Sequence, residues 1–535
     1  MNARHDPPAI AGGDIGCMLD ALRDPACYPH PVRRIEILET HISWVILTGD
    51  HAYKIKKPVN LGFLDFTSLA ARRYYCEEEL RLNRRFAPDI YLGVVAITGD
   101  AEAPQVGGGG PAIEYAVKMR EFAQADLLSA MLARGDVTPE LLQTLAGRIT
   151  AFHAAAPSAT MTPGVNTQAS VLQPALDNFK QMLPFLRDAD DVATLDRLRD
   201  WTLREHERHA QLLWQRVADG RVRECHGDLH LGNIVMINGA PTPFDCIEFN
   251  PALRWIDVIS ETAFLTMDLE AHGRRELAHA FLNAYLEASG DYNGVAVLPF
   301  YRLYRAVVRA KTNLVRAHQR GVLPEEAARA WAAFRRYLAL ATSYSRRQRG
   351  AIVITHGLSG SGKTTLTQPA LAALGAIRVR SDVERKRQHG FSALAHTGSA
   401  PGAGLYAADS TARTYRQLCE HARSIAGTGF PVIVDATFLK REQRAMFHAL
   451  AHELGVPFAI VNVNAPHELL RRRIAARSIG SSDASEATPS VLQTQISAQE
   501  PLGADELRDA VAIDANNDMA TTALKLSDAL MQRLQ

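Results

Sequence analysis

The chain is 535 residues long, too long for a single hydrophobic core, and length alone points to roughly three or four compact parts. Apolar residues make up 47% and charged residues 22%, the balance of an ordinary globular protein, which excludes a disordered or fibrous chain. A net charge of +1 excludes a global electrostatic pull toward nucleic acid or anionic membrane. Cys17, Cys27, Cys76, Cys225, Cys246 and Cys419 form no C-x-x-C pair, which argues against a disulfide framework or a zinc cluster and fits a reducing compartment. The opening "MNARHDPPAIAGGD" has no apolar signal core, and no apolar run reaches the roughly eighteen residues a membrane span needs. A cytoplasmic protein with no membrane partner is expected.

In chain order, residues 33–98 read as strands plus one helix. "HISWVILTG" and "HAYKIKKP" predict a strand pair joined at Thr-Gly-Asp. "LAARRYYCEEELRLNRRFAP" has helical spacing and a closing proline, and "GGGG" at 107–110 predicts a turn before the strand "AIEYAVKMREF". After Asp126 the periodicity is helical almost to Gly350, broken mainly by "AAAPSATMTPGVNT" and by a loop around His226. Beyond it the strand-length runs "AIVITHG", "IRVRS", "PVIVDAT" and "PFAIVNV" alternate with helical segments, which predicts a parallel α/β sheet. No internal repeat is evident.

The loop "ECHGDLHLGNIVM" concentrates polarity between apolar flanks. It carries His226, Asp228 and Asn233, and the next apolar run, "PFDCIEF", carries Asp245 and Glu248. Phosphoryl transfer from ATP needs one carboxylate to accept the hydroxyl proton and two oxygen ligands to hold Mg2+ against the phosphates. Asp228, Asn233 and Asp245 supply those groups in the order kinase-like enzymes use. The segment resembles the catalytic loop of the aminoglycoside phosphotransferase family, H-G-D-x-H-x-x-N followed by a D-x-x-E strand, and the resemblance covers about residues 30–340. It implies a protein-kinase-like bilobal domain over 1–345, with an N-lobe at about 30–122 and a C-lobe at about 123–345. Asp228 would be the catalytic base, Asn233 and Asp245 the metal ligands, and His226 and His230 braces of the loop. Lys54 of "HAYK" would meet the ATP phosphates, with Lys56 on the same strand face as its competitor. Glu78 or Glu79 of "CEEEL" would orient that lysine, and Glu78 is assigned to the cofactor site. No G-x-G-x-x-G precedes the lysine strand. "YAVKMREF" would lead into the hinge that contacts adenine.

"GLSGSGKTT" satisfies G-x-x-x-x-G-K-[ST] after the strand "AIVIT". Successive amides can wrap phosphate oxygens only where bulky side chains are absent, so Gly357, Ser359, Gly360, Ser361, Gly362, Lys363, Thr364 and Thr365 are assigned to the nucleotide, with Thr364 also a metal ligand. Asp382 in "RSDVERKR" lies just past a strand, where it could act on an acceptor hydroxyl, and Arg385, Lys386 and Arg387 could hold an anionic acceptor. Asp435 ends "PVIVDAT" as a Walker-B-like carboxylate toward Mg2+. Arg471, Arg472, Arg473 and Arg477 lead into a Gly/Ser-rich loop, as a lid supplying transition-state arginines would, with Arg477 assigned as catalytic. Residues 350–535, with a lid at about 471–500, resemble the small P-loop kinases of hydroxyls (polynucleotide kinases, zeta toxins, gluconate-type kinases) within the AAA-family ATP-binding domains. No sensor motif or ring-forming insert accompanies them.

The expected fold class is a multidomain α/β and α+β chain, a kinase-like bilobal domain followed by a P-loop NTPase α/β domain with a parallel sheet. The expected function is a bifunctional ATP-dependent phosphotransferase with ATP and Mg2+ as cofactors, each domain acting on a hydroxyl of a small molecule. The basic stripe Arg302, Arg305 and Arg309 argues against carrying over a polycationic antibiotic as acceptor. Sparse aromatics among the basic residues after 350 argue against nucleic acid. Other readings of the same motifs are a regulator in which one site senses nucleotide without chemistry, and a toxin-like kinase restrained by its fused partner. Oligomeric state is not legible.

Overall fold

The computed structural model describes residues 12–60, 62, 64–161, 167–319, 321–346, 348–393, 395, 407–477, 485, 487–515 and 518–534. The chain forms two compact units, fewer than its length suggests: Met1–Gln173 with Ala210–Leu265, and Pro174–His209 with Thr266–Gln535. The helices of 266–344, read in sequence as part of the kinase-like lobe, therefore share a unit with the P-loop sheet. Among the described residues, no helix is long and apolar enough to cross a membrane, and the six cysteines are free.

The first unit opens with an antiparallel sheet of β1 (Glu36–Glu39), β2 (Ser43–Leu47), β3 (His51–Lys56), β4 (Tyr91–Gly99), β5 (Pro104–Val106) and β6 (Ala112–Arg120), ordered β1-β2-β3-β6-β4-β5. The Thr-Gly-Asp turn sets the β2–β3 register, pairing Leu47 with Ala52 and Ser43 with Lys56. Alternation along β3 then divides its side chains. Tyr53 and Ile55 enter an apolar cluster with Ile46, Ile97 and Ala116, while Lys54 and Lys56 share the opposite face. That face meets helix Leu69–Asn83, which starts at Ser68, whose hydroxyl accepts from the Ala71 amide at 3.1 Å. Further on, β7 (Val222–Glu224), β8 (Ile234–Ile237), β9 (Ala240–Pro243) and β10 (Trp255–Asp257) form two short antiparallel pairs, β10-β7 and β8-β9, that bracket the loop at Asp228.

The second unit holds a parallel sheet of β11 (Ala351–His356), β12 (Ile377–Arg380), β13 (Pro431–Asp435), β14 (Phe458–Asn464) and β15 (Ala510–Asp514), ordered β12-β13-β11-β14-β15. Four of these strands coincide with the apolar runs legible in the sequence. The fifth, "AVAID", is an edge strand too weakly apolar to announce itself. Parallel register brings the carboxyl ends of β11, β12 and β13 together, with Ile354 beside Val434 and Arg380 beside Asp435. Sites of such sheets form where those ends open at a switch in strand order.

The edge strand β12 is not left bare. Helix Arg275–Ser289 lies along it, and the Asn283 amide donates to the Ala376 carbonyl at 3.1 Å while accepting from the Arg378 amide at 2.7 Å. Of the basic stripe, Arg302 and Arg305 are buried rather than solvated. Arg305 lies over Tyr304 and Arg309 over Tyr337, cation–π contacts that absorb the stripe into the packing.

Candidate functional site

In the first unit the two lysines of β3 end in one buried ion cluster. Lys54 Nζ donates to Glu79 at 2.8 Å and to Asp245 at 2.5 Å. Lys56 Nζ donates to the other oxygen of Glu79 at 2.7 Å and to Glu248. The carboxylate that pairs with the β3 lysines is thus Glu79, not Glu78. Glu78 turns instead to Arg81 and Arg254, at 2.6 and 2.8 Å. The buried stripe of this helix is Arg72, Cys76, Glu79, Leu82 and Asn83, which puts Glu79 toward the sheet and Glu78 off it. Both lysines meet Glu79, so they divide the work: Lys54 faces Asp245, and Lys56 faces Glu248.

Burial pushes the Glu79 carboxyl up, but the two lysines outweigh it and hold it at about 2. Burial dominates at Glu248 and raises it despite Lys56. Burial alone would lower the lysines, yet the Asp245, Glu79 and Glu248 carboxylates keep Lys54 raised, and Glu248 and Glu79 do the same for Lys56. Both ammonium groups stay charged.

The loop after β7 holds Asp228 and Asn233 together. Asn233 Nδ2 donates to the Asp228 carboxylate and to its backbone carbonyl, each at 3.0 Å, which leaves the Asn233 side-chain oxygen as an acceptor. His230 Nε2 lies 3.4 Å from the same carboxylate. His226 is fully buried, and that burial lowers its pKa and keeps the ring neutral. Its Nε2 lies 2.7 Å from the Phe244 carbonyl, to which it donates, and its Nδ1 accepts from the Asp228 amide at 3.3 Å. His226 therefore ties the Asp228 loop to the residue before Asp245. Asp245 adopts φ +65°, and its amide donates to Tyr91 Oη at 3.1 Å. Gly227, at φ +89°, admits no side chain, since a Cβ there would lie 2.8 Å from the Leu253 carbonyl oxygen.

Sequence reasoning missed Glu261. Its carboxylate accepts from the amides of His226 at 3.1 Å and Gly227 at 2.7 Å and lies 3.0 Å from His153 Nε2. Burial pushes this carboxyl up, but the His153 bond, the neighbouring imidazoles and the Gly227 amide bring it to about 2. A fully buried anion pinning two successive loop amides fixes where Asp228 points. Helical spacing from Val258 marks position 261 as inward, and a glutamate on an inward face was the available signal.

In the second unit the glycine turn follows β11 and runs into helix Lys363–Leu374. Gly357 has φ +145°, and a Cβ there would stand 2.5 Å from the Val463 carbonyl oxygen, so only glycine fits. Lys363 Nζ donates to the Gly357 and Leu358 carbonyls at 3.0 and 2.9 Å. Thr364 Oγ1 donates to Asp435 at 2.6 Å, joining the two groups assigned to the metal. Thr365 is exposed on the first helical turn, and Ser361 is buried. Asp382, in the first turn of helix Ser381–Gln388, lines a cavity of about 330 Å³ with Ser359, Gly360, Gly362, Lys363, Thr364 and Asp435.

Of the three cations after Asp382, Arg385 lines this cavity, 3.8 Å from the Asp382 carboxylate. Lys386 donates to the Ala393 carbonyl, and Arg387 engages Glu384 and the Glu287 carbonyl, so those two are structural. In helix His467–Arg477, Arg471 and Arg472 are exposed, while Arg473 binds the Gly360, Ser361 and Ala515 carbonyls. The side chain of Arg477 lies outside the described residues. Gln495, which no motif marks, also reaches the phosphate turn and accepts from the Ser359 amide.

Both donor sets suit Mg2+, a hard cation that takes oxygen ligands and keeps several waters. Asn233 offers an amide oxygen and Asp245 a carboxylate left 41% exposed. Thr364 and Asp435 offer a hydroxyl and a carboxylate already in contact.

The family model described as "AAA domain" matches residues 352–502. The uncharacterized protein Rv2004c of Mycobacterium tuberculosis is 32% identical to the chain over 467 residues, 86% of this chain and 90% of its own length, and so is the uncharacterized protein Mb2027c of Mycobacterium bovis. Among solved structures, a gluconokinase from Sinorhizobium meliloti is 22% identical and is matched over 36% of this chain and 100% of its own, with a TM-score of 0.25. A Plasmodium vivax ethanolamine kinase is 10% identical, over 58% of this chain and 81% of its own, with a TM-score of 0.36. The chain belongs to the family of these mycobacterial proteins, and its residues 352–502 form an AAA domain that carries the P-loop.

Proposed function

We propose that the protein is a bifunctional ATP-dependent phosphotransferase, with one site in a module at 1–345 and the other in a module at 350–535. Each site transfers the terminal phosphoryl group of ATP to a hydroxyl of a small molecule. The observation that carries this reading is that each compact unit assembles a buried lysine, oxygen groups of the kind that hold Mg2+, and a half-buried aspartate. These are Lys54 on Asp245 and Asn233 on Asp228 in one, and Thr364 on Asp435, with Lys363 and Asp382 lining the same cavity, in the other.

In the first site Lys54 binds the inner phosphates while Glu79 keeps it extended, and Asp228 accepts the proton of the acceptor hydroxyl. In the second, the amides between Gly357 and Lys363 wrap the phosphates, and Asp382 takes the proton. Mg2+, when bound, neutralises developing phosphate charge at both places. Arg385 beside Asp382 supports an acceptor that carries an anionic group.

The test incubates the full chain with labelled ATP and a metabolite extract and identifies what gains phosphate. Asp228→Ala and Asp382→Ala are each expected to remove a different product, with a loss of roughly 10² to 10⁴-fold. Retention of both products in both variants would sink the assignment.

A further inference from the structure

Ser359 supplies one of the amides of the phosphate-wrapping turn, and that amide already has a partner. It donates to Gln495 Oε1 at 2.9 Å, while Gln495 Nε2 donates to Ser359 Oγ at 2.9 Å. A neutral side-chain carbonyl thus holds a position built for a phosphate oxygen. Gln495 lines the same cavity as Lys363, Asp382 and Asp435.

Packing does not force the contact. Gln495 belongs to helix Pro489–Ala498, which is held elsewhere. Thr488 caps its start, accepting from the Val491 amide at 3.3 Å, and the buried Leu492 joins an apolar cluster with Leu358, Leu439, Leu470 and Ile474. Gln495 itself is only half-buried. Its side chain can change rotamer while the helix stays docked on Leu358 of the phosphate turn.

We propose that Gln495 is the residue that reads the terminal phosphate at the P-loop site. It holds the Ser359 amide until that phosphate arrives, and then donates a hydrogen bond to it. The inference rests on the reading of this site as an ATP site. An ionised phosphate oxygen accepts a hydrogen bond more strongly than a neutral amide carbonyl, so it displaces Gln495 from the Ser359 amide. The displaced side chain still carries two N–H donors to offer the newcomer. Ser359 and Asp382 line one cavity, so the oxygen that takes this amide belongs to the group to be transferred. A diphosphate lacks that group and leaves the Gln495–Ser359 pair closed. Gln495 therefore separates ATP from ADP.

Nucleotide titrations of the full chain test this, with the P-loop contribution defined as the part lost in Lys363→Ala. Gln495→Glu keeps the acceptor, loses the donors and adds a negative charge. It is expected to weaken ATP about tenfold while leaving ADP within about threefold. Gln495→Ala removes the resident acceptor, so ADP binds as tightly as before or tighter, the ATP preference shrinks, and turnover at this site falls about tenfold. A variant pair that fails only through lost packing would weaken both nucleotides together, which overturns the proposal. An unchanged ATP/ADP ratio in both variants overturns the role of Gln495 alone. Absence of Lys363-dependent binding in the unaltered chain overturns the ATP-site reading and this inference with it.

Discussion

Lys54 and Lys363 are assigned the same task, and the two units hold them by different physics. Lys54 sits in a cluster of opposed charges with Glu79, Asp245, Lys56 and Glu248, all set by side chains far apart in sequence. Lys363 rests on two backbone carbonyls of its own turn. A charge cluster orients its lysine before any ligand arrives, but each member depends on the others, because an ion left alone in a buried place is costly. A backbone cradle depends on conformation, hence on glycine, and tolerates loss of the lysine.

The sharpest test of that contrast is Lys56→Met against Lys363→Met. Without Lys56, Glu79 and Glu248 must share one ammonium, and the unit is expected to lose about 3–5 kcal/mol. Without Lys363 its bonds to the Gly357 and Leu358 carbonyls go, at about 1 kcal/mol each. Hydrogen exchange at the β3 and β11 amides reads the two losses separately, and equal losses would break the comparison.

A smaller effect probes how the second unit is held by neutral bonds. Asn283→Leu keeps the side chain's bulk but strands the Ala376 carbonyl and the Arg378 amide, at about 1–3 kcal/mol. The expected sign is faster exchange along β12, with β3 unaffected. Slow exchange along β12 in the variant would show that the edge needs no such partner.

The smallest effect concerns pH. His279, on the same helix as Asn283, is held neutral by burial and by the nearby Arg302 and Arg275, which lower it from 6.5 to about 3. As pH falls the unfolded chain takes the proton first. The stability tied to the neutral ring is therefore complete above about 6.5 and is lost on the way down to about 3. Thermal unfolding is expected to drop between pH 7 and pH 5, and His279→Leu should flatten that slope. An identical slope in the variant would assign the pH response to other groups.

Much of this was legible, and the gaps share a cause. The P-loop, the Asp228–Asn233 loop and four strands of the parallel sheet are local patterns, so spacing found them. The choice between Glu78 and Glu79 stayed open because the buried stripe of their helix also contains Arg72 and Asn83, and a search for apolar periodicity cannot see a polar inward face. The Lys56–Glu248 pair joins residues that only the folded chain brings together. Gln495 escaped for a further reason: attention went to arginines as transition-state donors, and an amide serving first as acceptor has no sequence signature.

The left-handed backbone at Asp245 has a practical consequence for separating the two proposed activities. Asparagine tolerates that conformation nearly as well as aspartate, whereas alanine would be strained there. Asp245→Asn should therefore silence the kinase-like half by removing one charge while leaving the chain path untouched. The result would be a single-activity protein in which the AAA-type half can be assayed without cutting the polypeptide.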